Sequence, residues 1–483
     1  MKNKLKVFYV SPEVFPFART GDLAEAAGAL PKYLKNMGHD IRVMMPKYKT
    51  VNERRYVLRD VIRLQGVKIK LGNEMLQANG KSAFIPNSKV QIYFLDNKGL
   101  FDRDGLYCDA AGEPYLDNAK RFIFFAIGCL ETLKLLHWQP DIIHCNDWQT
   151  ALIPLLLKSI YKSDPFFSHS RTLLSVHSVR QQGIFDSSIV ELTGVPQSFF
   201  NSNKHLVQDN SFNFLHTGFE YADLLNTVSD SFDAAVQRRQ DEFLSIHHGI
   251  DGQIWNPATD KLIPSNYDLH ELAGKVENRK QLLAKFGLTP SESAPVISMI
   301  LDGGLQQESD FVLQAMEEIA RLDVQMVVLG AVVDTHGEKL LSIKKKYPQK
   351  VGLQLTVDTK LAHLVEAGSD ITLMPVLQEG AGLGQLCSLA YGTIPIVPRC
   401  SVRAEFVKEF NRSTRSGTGF IFDQAKADEL ITVVRKAIEY YADKEMWAKI
   451  MQNAMAADVS WHVPAQKYMK LYHKLVSQKN TRK

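Results

Sequence analysis

The sequence has little cysteine, little net charge and no long apolar run. Its 483 residues include five cysteines, an odd number without a C-x-x-C pair, which argues against a disulfide framework and a zinc site. The formal net charge of +4 is too small to indicate a nucleic-acid partner. Apolar stretches such as residues 122–130 are far shorter than a membrane span, and no secretory signal is recognisable. We therefore expect a cytoplasmic protein without nucleic-acid or membrane partners.

The length and the balanced composition indicate two ordinary globular domains. The chain is 45% hydrophobic and 23% charged, as is usual for globular proteins. A chain of 483 residues is too long for a single core, so we expect two domains of roughly 200 residues or more.

The first 48 residues follow the pattern of a strand, a helix and a second strand. Residues 5–10 and 41–45 are short apolar runs, typical of buried parallel strands. Apolar residues recur at helical spacing over 23–37, and Gly38 fits the end of that helix. The loop around Gly21, before the helix, could bind an anion at the helix N-terminus. From spacing alone, a simple strand–helix turn is the favoured interpretation, because a short glycine loop is weak evidence for a binding site.

Polar side chains recur where predicted strands end. The apolar runs 141–144 and 172–176 are followed by Asp147 and His177, and His144 ends the first of them. A histidine at such a place can bind a ligand, cap a helix or satisfy a buried carbonyl. Because ligands of open α/β sheets bind at the carboxyl ends of the strands, binding and structural roles remain equally open here.

The rest of the first half contains short predicted strands at 67–71, 83–85 and 90–94 and a predicted helix at 219–225. The second half of the chain shows the same alternation of apolar runs and helical segments. Its predicted strands are 296–301, 324–330, 351–357, 371–375 and 394–398. Alternating strands and helices are typical of doubly wound parallel sheets, so we predict an α/β fold with one such sheet in each domain.

Five segments of the sequence resemble one family, the bacterial glycogen synthases and plant starch synthases of glycosyltransferase family 5. They are SPEVFPFARTGDLAEAAGALP (11–31), HCNDWQTAL (144–152), SVHSVRQQGIF (175–185), WNPATD (255–260) and PVLQEGAGLGQ (375–385). The resemblance implies the GT-B fold, in which two Rossmann-like doubly wound domains face a central cleft. It also implies domains at 1–251 and 252–456, and a C-terminal helix within 457–483 that returns to the first domain.

The resemblance further implies a function and a set of site residues. The function is retaining transfer of glucose from ADP-glucose to the non-reducing end of an α-1,4-glucan primer, without a metal or cofactor. His177 matches the sugar-contacting histidine of the family and Glu379 its essential acid, so both are predicted to be catalytic. The residues predicted to bind substrate are Arg19, Gly21, Asp147, His248, Gly382 and Leu383.

The sequence departs from the family pattern at positions that would contact the donor. Met299 stands where the family has arginine, Asp22 where it has glycine, Gly384 where it has threonine and His248 where it has asparagine. Asp22 also forms a D-x-x-E pattern with Glu25, which predicts that Asp22 is the N-cap of a capping box. Two alternatives therefore stay open: a catalytically impaired GT-B protein that binds glucan or regulates a synthase, and a transferase with another donor.

Overall fold

The computed structural model divides the chain into two compact units. It describes residues 4–228, 243–301, 310–330, 335–356, 358–375, 382–399 and 402–477. The first unit consists of Met1–His248 and Trp461–Lys483, and the second of Gly249–Ser460. Our division into functional domains after residues 251 and 456 stays a prediction.

The strands of both units are short, and most follow apolar runs. In chain order they are β1 (Lys6–Val10), β2 (Asp40–Pro46), β3 (Arg59–Asp60), β4 (Val67–Leu71), β5 (Glu74–Phe84), β6 (Gln91–Asp96), β7 (Ile142–Asn146), β8 (Arg171–Val176), β9 (Ile184–Asp186), β10 (Val207–Gln208), β11 (Ser211–Asn213), β12 (Leu224–Thr227), β13 (Phe243–Ser245), β14 (Val296–Leu301), β15 (Gln325–Gly330), β16 (Val351–Gln354), β17 (Ile371–Leu373), β18 (Ile394–Pro398) and β19 (Phe420–Phe422).

The α-helices lie mostly between consecutive strands. They are α1 (Asp22–Asn36), α2 (Lys98–Phe101), α3 (Asn118–Leu135), α4 (Leu152–Lys158), α5 (Gln197–Ser202), α6 (Phe214–Tyr221), α7 (Ala273–Lys285), α8 (Asp310–Arg321), α9 (Thr335–Lys346), α10 (Thr359–Gly368), α11 (Leu383–Ala390), α12 (Ala427–Ala442), α13 (Lys444–Met455) and α14 (His462–Ser477).

The first unit is built on a ten-stranded sheet in the order β13-β12-β8-β7-β1-β2-β6-β5-β3, with β4 paired to β5. The strands from β13 to β6 are parallel, whereas β5 pairs antiparallel with β6, β3 and β4. Strands β7 and β8 are almost wholly buried, as is usual for the central strands of a parallel sheet, although each carries polar side chains as well as apolar ones. Because β8, β7 and β1 are parallel neighbours, the loops after them meet at one edge of the sheet.

The second unit contains a six-stranded, fully parallel sheet in the order β16-β15-β14-β17-β18-β19. Helices pack on the apolar side chains of this sheet, as expected for a doubly wound fold. The two predicted parallel sheets are therefore present, each in its own unit.

Two local predictions were wrong. Residues 83–85, predicted as a separate short strand, belong mainly to the eleven-residue strand β5. The predicted helix over 219–225 is instead the end of α6 followed by strand β12. Leu224 and Leu225 are buried between β8 and β13, and an apolar run buried on both faces has no period that separates a strand from a helix.

The last described helix, α14, belongs to the first unit. Its side chains Tyr468, Met469, Tyr472 and Leu475 are buried in the first unit's core together with Trp461. The Tyr472 hydroxyl lies 2.7 Å from Nδ1 of His144 at the middle of strand β7. Helix α14 therefore completes the core of the first unit.

Candidate functional site

Asp147 follows strand β7 and fixes the loop after strand β8. Its Oδ1 atom accepts the backbone N–H of His177 at 2.6 Å and that of Ser178 at 3.4 Å. Burial raises the pKa of Asp147 to about 7, against the lowering effect of these two hydrogen bonds. The residue has φ 55° and ψ −177°, a backbone conformation that is normally found only for glycine and is therefore strained for an aspartate. In the structure, Asp147 thus holds His177 in place.

His177 is held as a neutral ring in one tautomer. Its Nε2 atom lies 3.0 Å from Oδ1 of Asn146, whose Nδ2 donates to the Val10 carbonyl at 2.9 Å. Because that bond leaves Oδ1 as the acceptor, Nε2 carries the ring proton and Nδ1 is a free acceptor. Burial lowers the pKa of His177 to about 3. Nδ1 has no hydrogen-bond partner among the described residues.

His248 lies beside His177, with its ring centroid 4.9 Å away. It is only 2% exposed, and neither ring nitrogen has a hydrogen-bond partner within the described part of the chain. Burial, and then the nearby His177, lower its pKa well below the usual value. The two neutral imidazoles together have three nitrogens without a hydrogen bond. Such groups are better suited to bind sugar hydroxyls, which both donate and accept hydrogen bonds, than to bind an anion.

The Q-G-x-F part of the motif shapes the loop that follows His177. Gly183 has φ 65°, and a Cβ atom there would lie 2.4 Å from Cε3 of Trp148. Only glycine combines this backbone conformation with such a close approach. Glycine at this position thus lets the loop pack on Trp148, next to Asp147.

The loop before helix α1 differs from the prediction for Asp22. Helix α1 begins at Asp22, the N-cap is Gly21, and no side chain caps the helix. The predicted capping box is therefore wrong. The backbone N–H of Thr20, just before the helix, donates instead to the carboxylate of Glu13. Arg19 forms an ion pair with Glu25 at 3.1 Å.

The second unit contains Gly382 and Leu383 at the start of helix α11. Gly382 has φ 67°, and a Cβ atom there would lie 2.2 Å from Nε2 of Gln385. The buried side-chain amide of Gln385 has no hydrogen-bond partner in the described chain, and it lies in the first turn of this helix, where the backbone N–H groups favour an anion. Glu379 lies outside the described residues.

Met299 shows what replaces the missing arginine. It lies within strand β14, is 2% exposed, and packs in the main hydrophobic core of the second unit. This position therefore supplies an apolar contact and no positive charge.

The W-N-P-x-T-D segment packs inside the second unit. Asp260 accepts hydrogen bonds from the hydroxyl of Tyr391 at 2.6 Å and from Nδ1 of His363 at 2.7 Å. The ring of Trp255 stacks on His363 with centroids 3.8 Å apart. These contacts fix the segment against the end of helix α11. The residues of this motif therefore have a structural role in the packing of the second unit.

The structure brings five predicted residues together in the first unit. Loop 19–21, which contains Arg19 and Gly21, contacts Glu13, whose charge raises the pKa of Asp147. Asp147 in turn binds the backbone of His177, and His248 lies next to that ring. Sequence reasoning missed Glu13 and Asn146, although both lie inside the quoted motifs. Among the described residues there is no cluster of three metal-binding side chains, and no helix is long and apolar enough to cross a membrane.

Comparison with known proteins identifies the family. The model described as "Starch synthase catalytic domain" matches residues 6–252, and that of "Glycosyl transferases group 1" matches 285–455. The glycogen synthase of Chlorobium phaeobacteroides is 36% identical over 490 residues, covering 98% of this chain and 99% of that protein. Glycogen synthase 2 of Geobacter sulfurreducens is 36% identical over 481 residues, covering 97% and 98%.

Solved structures agree with this assignment. The catalytic domain of starch synthase IV from Arabidopsis thaliana, bound to ADP and acarbose, matches with a TM-score of 0.90 at 25% identity. The match covers 99% of this chain and 100% of that one. A sucrose-phosphate synthase from Thermosynechococcus elongatus, 15% identical with a TM-score of 0.59, shares the fold. The chain belongs to the glycogen and starch synthase family and has its GT-B fold.

Proposed function

We propose that this protein is a glycogen synthase that transfers glucose from ADP-glucose to the non-reducing end of an α-1,4-glucan, with retention. The observation that carries this proposal is 36% identity to glycogen synthases along nearly the whole of both chains. The starch synthase of closely similar fold was solved with ADP, which supports an adenine donor. Synthesis of glycogen from a nucleotide sugar is consistent with a cytoplasmic location.

The first unit offers groups suited to a neutral sugar. His177 presents Nδ1 as an acceptor for a sugar hydroxyl, and the unsatisfied ring of His248 offers one donor and one acceptor. A buried, unsatisfied polar atom costs about 1–3 kcal/mol, so a sugar that bonds these atoms recovers that energy. We assign both residues, together with Asp147, which holds the His177 loop, to the sugar subsite.

The diphosphate of the donor requires positive groups and free N–H groups. We assign this role to Arg19 beside Gly21 and to the N-terminus of helix α11 at Gly382 and Leu383, where the helix dipole favours an anion. Met299, which stands where the family pattern has arginine, is buried in the core and supplies no positive charge for this role. Glu379 keeps its assignment as the essential acid, on the resemblance alone.

Incorporation of labelled glucose into glycogen tests the proposal. The purified chain should incorporate glucose from ADP-glucose faster than from UDP- or GDP-glucose, and the new linkages should be cleaved by α-1,4-specific amylases. Glu379→Ala should lower turnover by orders of magnitude while leaving the melting temperature nearly unchanged. Binding of glycogen without incorporation from any donor would refute the proposal and favour a regulatory glucan-binding protein.

A further inference from the structure

Glu13 is a buried carboxylate on the loop that follows strand β1. It is 4% exposed, and its backbone carbonyl accepts the Ser11 hydroxyl at 2.6 Å. Burial raises its pKa, although several hydrogen bonds act in the opposite direction. No lysine or arginine in the described ranges forms an ion pair with it. A buried carboxylate without a cation is costly, so its neutral donors must support it.

Those donors come from the loop before helix α1 and from one tyrosine. Thr20 donates its backbone N–H to Glu13, and its hydroxyl lies 2.9 Å and 3.0 Å from the two carboxylate oxygens. The backbone N–H of Gly21 also lowers the Glu13 pKa through a hydrogen bond. The Tyr107 hydroxyl donates at 3.2 Å. Three of these four donors belong to two consecutive residues, so one carboxylate determines the path of this loop.

The chain that leads from Glu13 to this loop is also fixed, by packing on helix α1. A Cβ atom on Gly28 of helix α1 would lie 2.6 Å from the carbonyl oxygen of Phe15, and the Phe15 N–H donates to the Ala24 carbonyl at 2.9 Å, so Phe15 packs directly against the helix. The hydroxyl of Tyr56 donates to the carbonyl of Pro16 at 2.8 Å. Because Glu13 binds Thr20 and Gly21, and the preceding chain packs on helix α1, the loop can hold Arg19 in one position.

We propose that Glu13 is a positioning residue for the donor: by binding Thr20 and Gly21, it presents Arg19 and the start of helix α1 to the diphosphate. This inference rests on the proposed function. Glu13 occupies N–H groups that would otherwise be offered to a phosphate, so the loop recognises the donor through Arg19 and the remaining groups of the helix start. Glu13 itself does not touch the substrate.

Glu13→Gln is the direct test, because it keeps the shape but replaces an acceptor oxygen with an N–H donor facing Thr20. We expect the KM for ADP-glucose and the Kd of ADP, measured by calorimetry, to rise about tenfold, with kcat changed much less. Thr20→Val, which removes only the hydroxyl bond, should give a smaller shift in the same direction. It also covers the case in which Glu13→Gln does not fold.

Glu131→Gln provides a matched control. Glu131, on helix α3, accepts the Tyr161 hydroxyl at 2.6 Å, so this variant also breaks a tyrosine–carboxylate bond but leaves the loop untouched. The control should keep the donor KM and the Kd of ADP of the unaltered protein. Equal shifts of KM in both variants would overturn the inference, because the effect would then be general loss of stability.

Limited proteolysis gives a readout that does not need turnover. Trypsin can cut after Arg19, which is exposed, and the cut requires the loop to open. We expect cleavage after Arg19 to be about tenfold faster in Glu13→Gln than in the unaltered chain or in Glu131→Gln. Equal cleavage rates would overturn the inference. An unaltered chain that incorporates no glucose would instead refute the proposed function, while proteolysis and ADP binding still decide the role of Glu13.

Discussion

Three buried histidines near one edge of the first sheet share a protonation state but differ in their contacts. Burial lowers the pKa of His144, His177 and His248. His144 is fully bonded, with Tyr472 at 2.7 Å and Ser175 at 2.5 Å, and so it is structural. His177 and His248 keep unbonded nitrogens and are therefore the ones suited to a ligand. As neutral rings, none of the three can neutralise a diphosphate.

The pH dependence of stability should report the buried His177. Its native pKa of about 3 lies below the unfolded value near 6.5, so the native state binds fewer protons between these values and stability falls as pH falls through this range. At pH 5 this loss is about 2 kcal/mol relative to neutral pH. His177→Gln should remove that part of the loss, measured by urea unfolding at pH 7.5 and 5.0.

Asp147 provides the opposite control for this experiment. Its native pKa of about 7 lies above the ordinary value of 3.8, so its contribution to stability rises as pH falls from 7 towards 4. Asp147→Asn should therefore make the chain more sensitive to acid, whereas His177→Gln makes it less sensitive. If both variants shift acid sensitivity in the same direction, the assignment of these pKa values is wrong.

Asp22 is expected to weaken donor binding by its charge. It lies in the first turn of helix α1, next to the residues assigned to the diphosphate. Asp22→Gly should tighten ADP-glucose binding about fivefold, from roughly 1 kcal/mol of relieved repulsion, and lose a similar amount of helix stability. Asp22→Asn separates the two effects, since it removes the charge without adding glycine. Calorimetry that shows unchanged binding in both variants would contradict this expectation.

The error over the capping box shows where local sequence reasoning fails at the residue scale. D-x-x-E before an apolar run satisfies the pattern, yet Gly21 is the N-cap and Glu13 takes the N–H of Thr20. Glu13 lies seven residues upstream of Thr20, and the fold of the intervening chain decides whether it can reach. A pattern confined to four residues contains no information about such a partner.

At the scale of elements, strands that are separate apolar runs were predictable from the sequence, whereas a strand that follows a helix without a break in the apolar pattern was not. Strands β4, β14 and β18 were predicted with the bounds that the structure has. The end of α6 and strand β12 were assigned wrongly, because a run buried on both faces carries no periodicity. The sequence pattern also did not predict that one buried lysine on helix α7 joins the ends of two other helices.

That lysine is Lys275 on helix α7, at the carbonyl ends of two other helices. Its Nζ atom donates to the carbonyls of Ala367 and Tyr391 at 3.2 Å and 3.1 Å, and to Oγ1 of Thr393 at 2.9 Å. A cation at the C-termini of α10 and α11 complements their dipoles. Burial lowers the Lys275 pKa to about 8. The lysine thus anchors α11, the helix whose other end we assign to the donor.

Alkaline titration should reveal this lysine. Because its native pKa of about 8 lies below the ordinary 10.5, its contribution to stability rises as pH rises between these values, by up to about 3 kcal/mol. Lys275→Met should abolish that rise and lower stability at neutral pH, because buried carbonyls lose their donor. Lys280→Met, on the exposed face of the same helix, should leave the pH profile unchanged. Urea unfolding from pH 7.5 to 10 measures both; equal profiles would contradict the prediction.

At the scale of the whole molecule, the family resemblance predicted the fold, and both the matched relatives and the two parallel sheets confirm it. Composition and periodicity alone predict only that the chain forms two α/β domains. They could not predict which unit the last helix joins, since α14 is amphipathic and could cover any apolar face. Within the site, strand-end residues were predictable because parallel strands gather their carboxyl ends, whereas the hydrogen-bond partners of each residue were not.

Removing helix α14 should unfold the first unit. Trp461, Tyr468 and Tyr472 are at most 1% exposed, and deleting one buried aromatic side chain typically costs about 3–5 kcal/mol. For the three side chains this amounts to about 9–15 kcal/mol, which is as large as the roughly 5–15 kcal/mol by which most domains are stable. A chain ending after Ser460 should therefore lose the first unit's thermal transition in calorimetry. A chain ending after Ser477 serves as the control and should retain both transitions.

The place of α14 also has a consequence for how the chain folds as it is made. The ribosome synthesises Met1–His248 first, but the core of that unit stays open until Trp461 and the helix after it emerge. By then the second unit, Gly249–Ser460, has all of its residues available. Folding during synthesis thus finishes in the reverse of the usual N-to-C order, and a nascent chain that pauses before Trp461 exposes the apolar surface around His144 to chaperones.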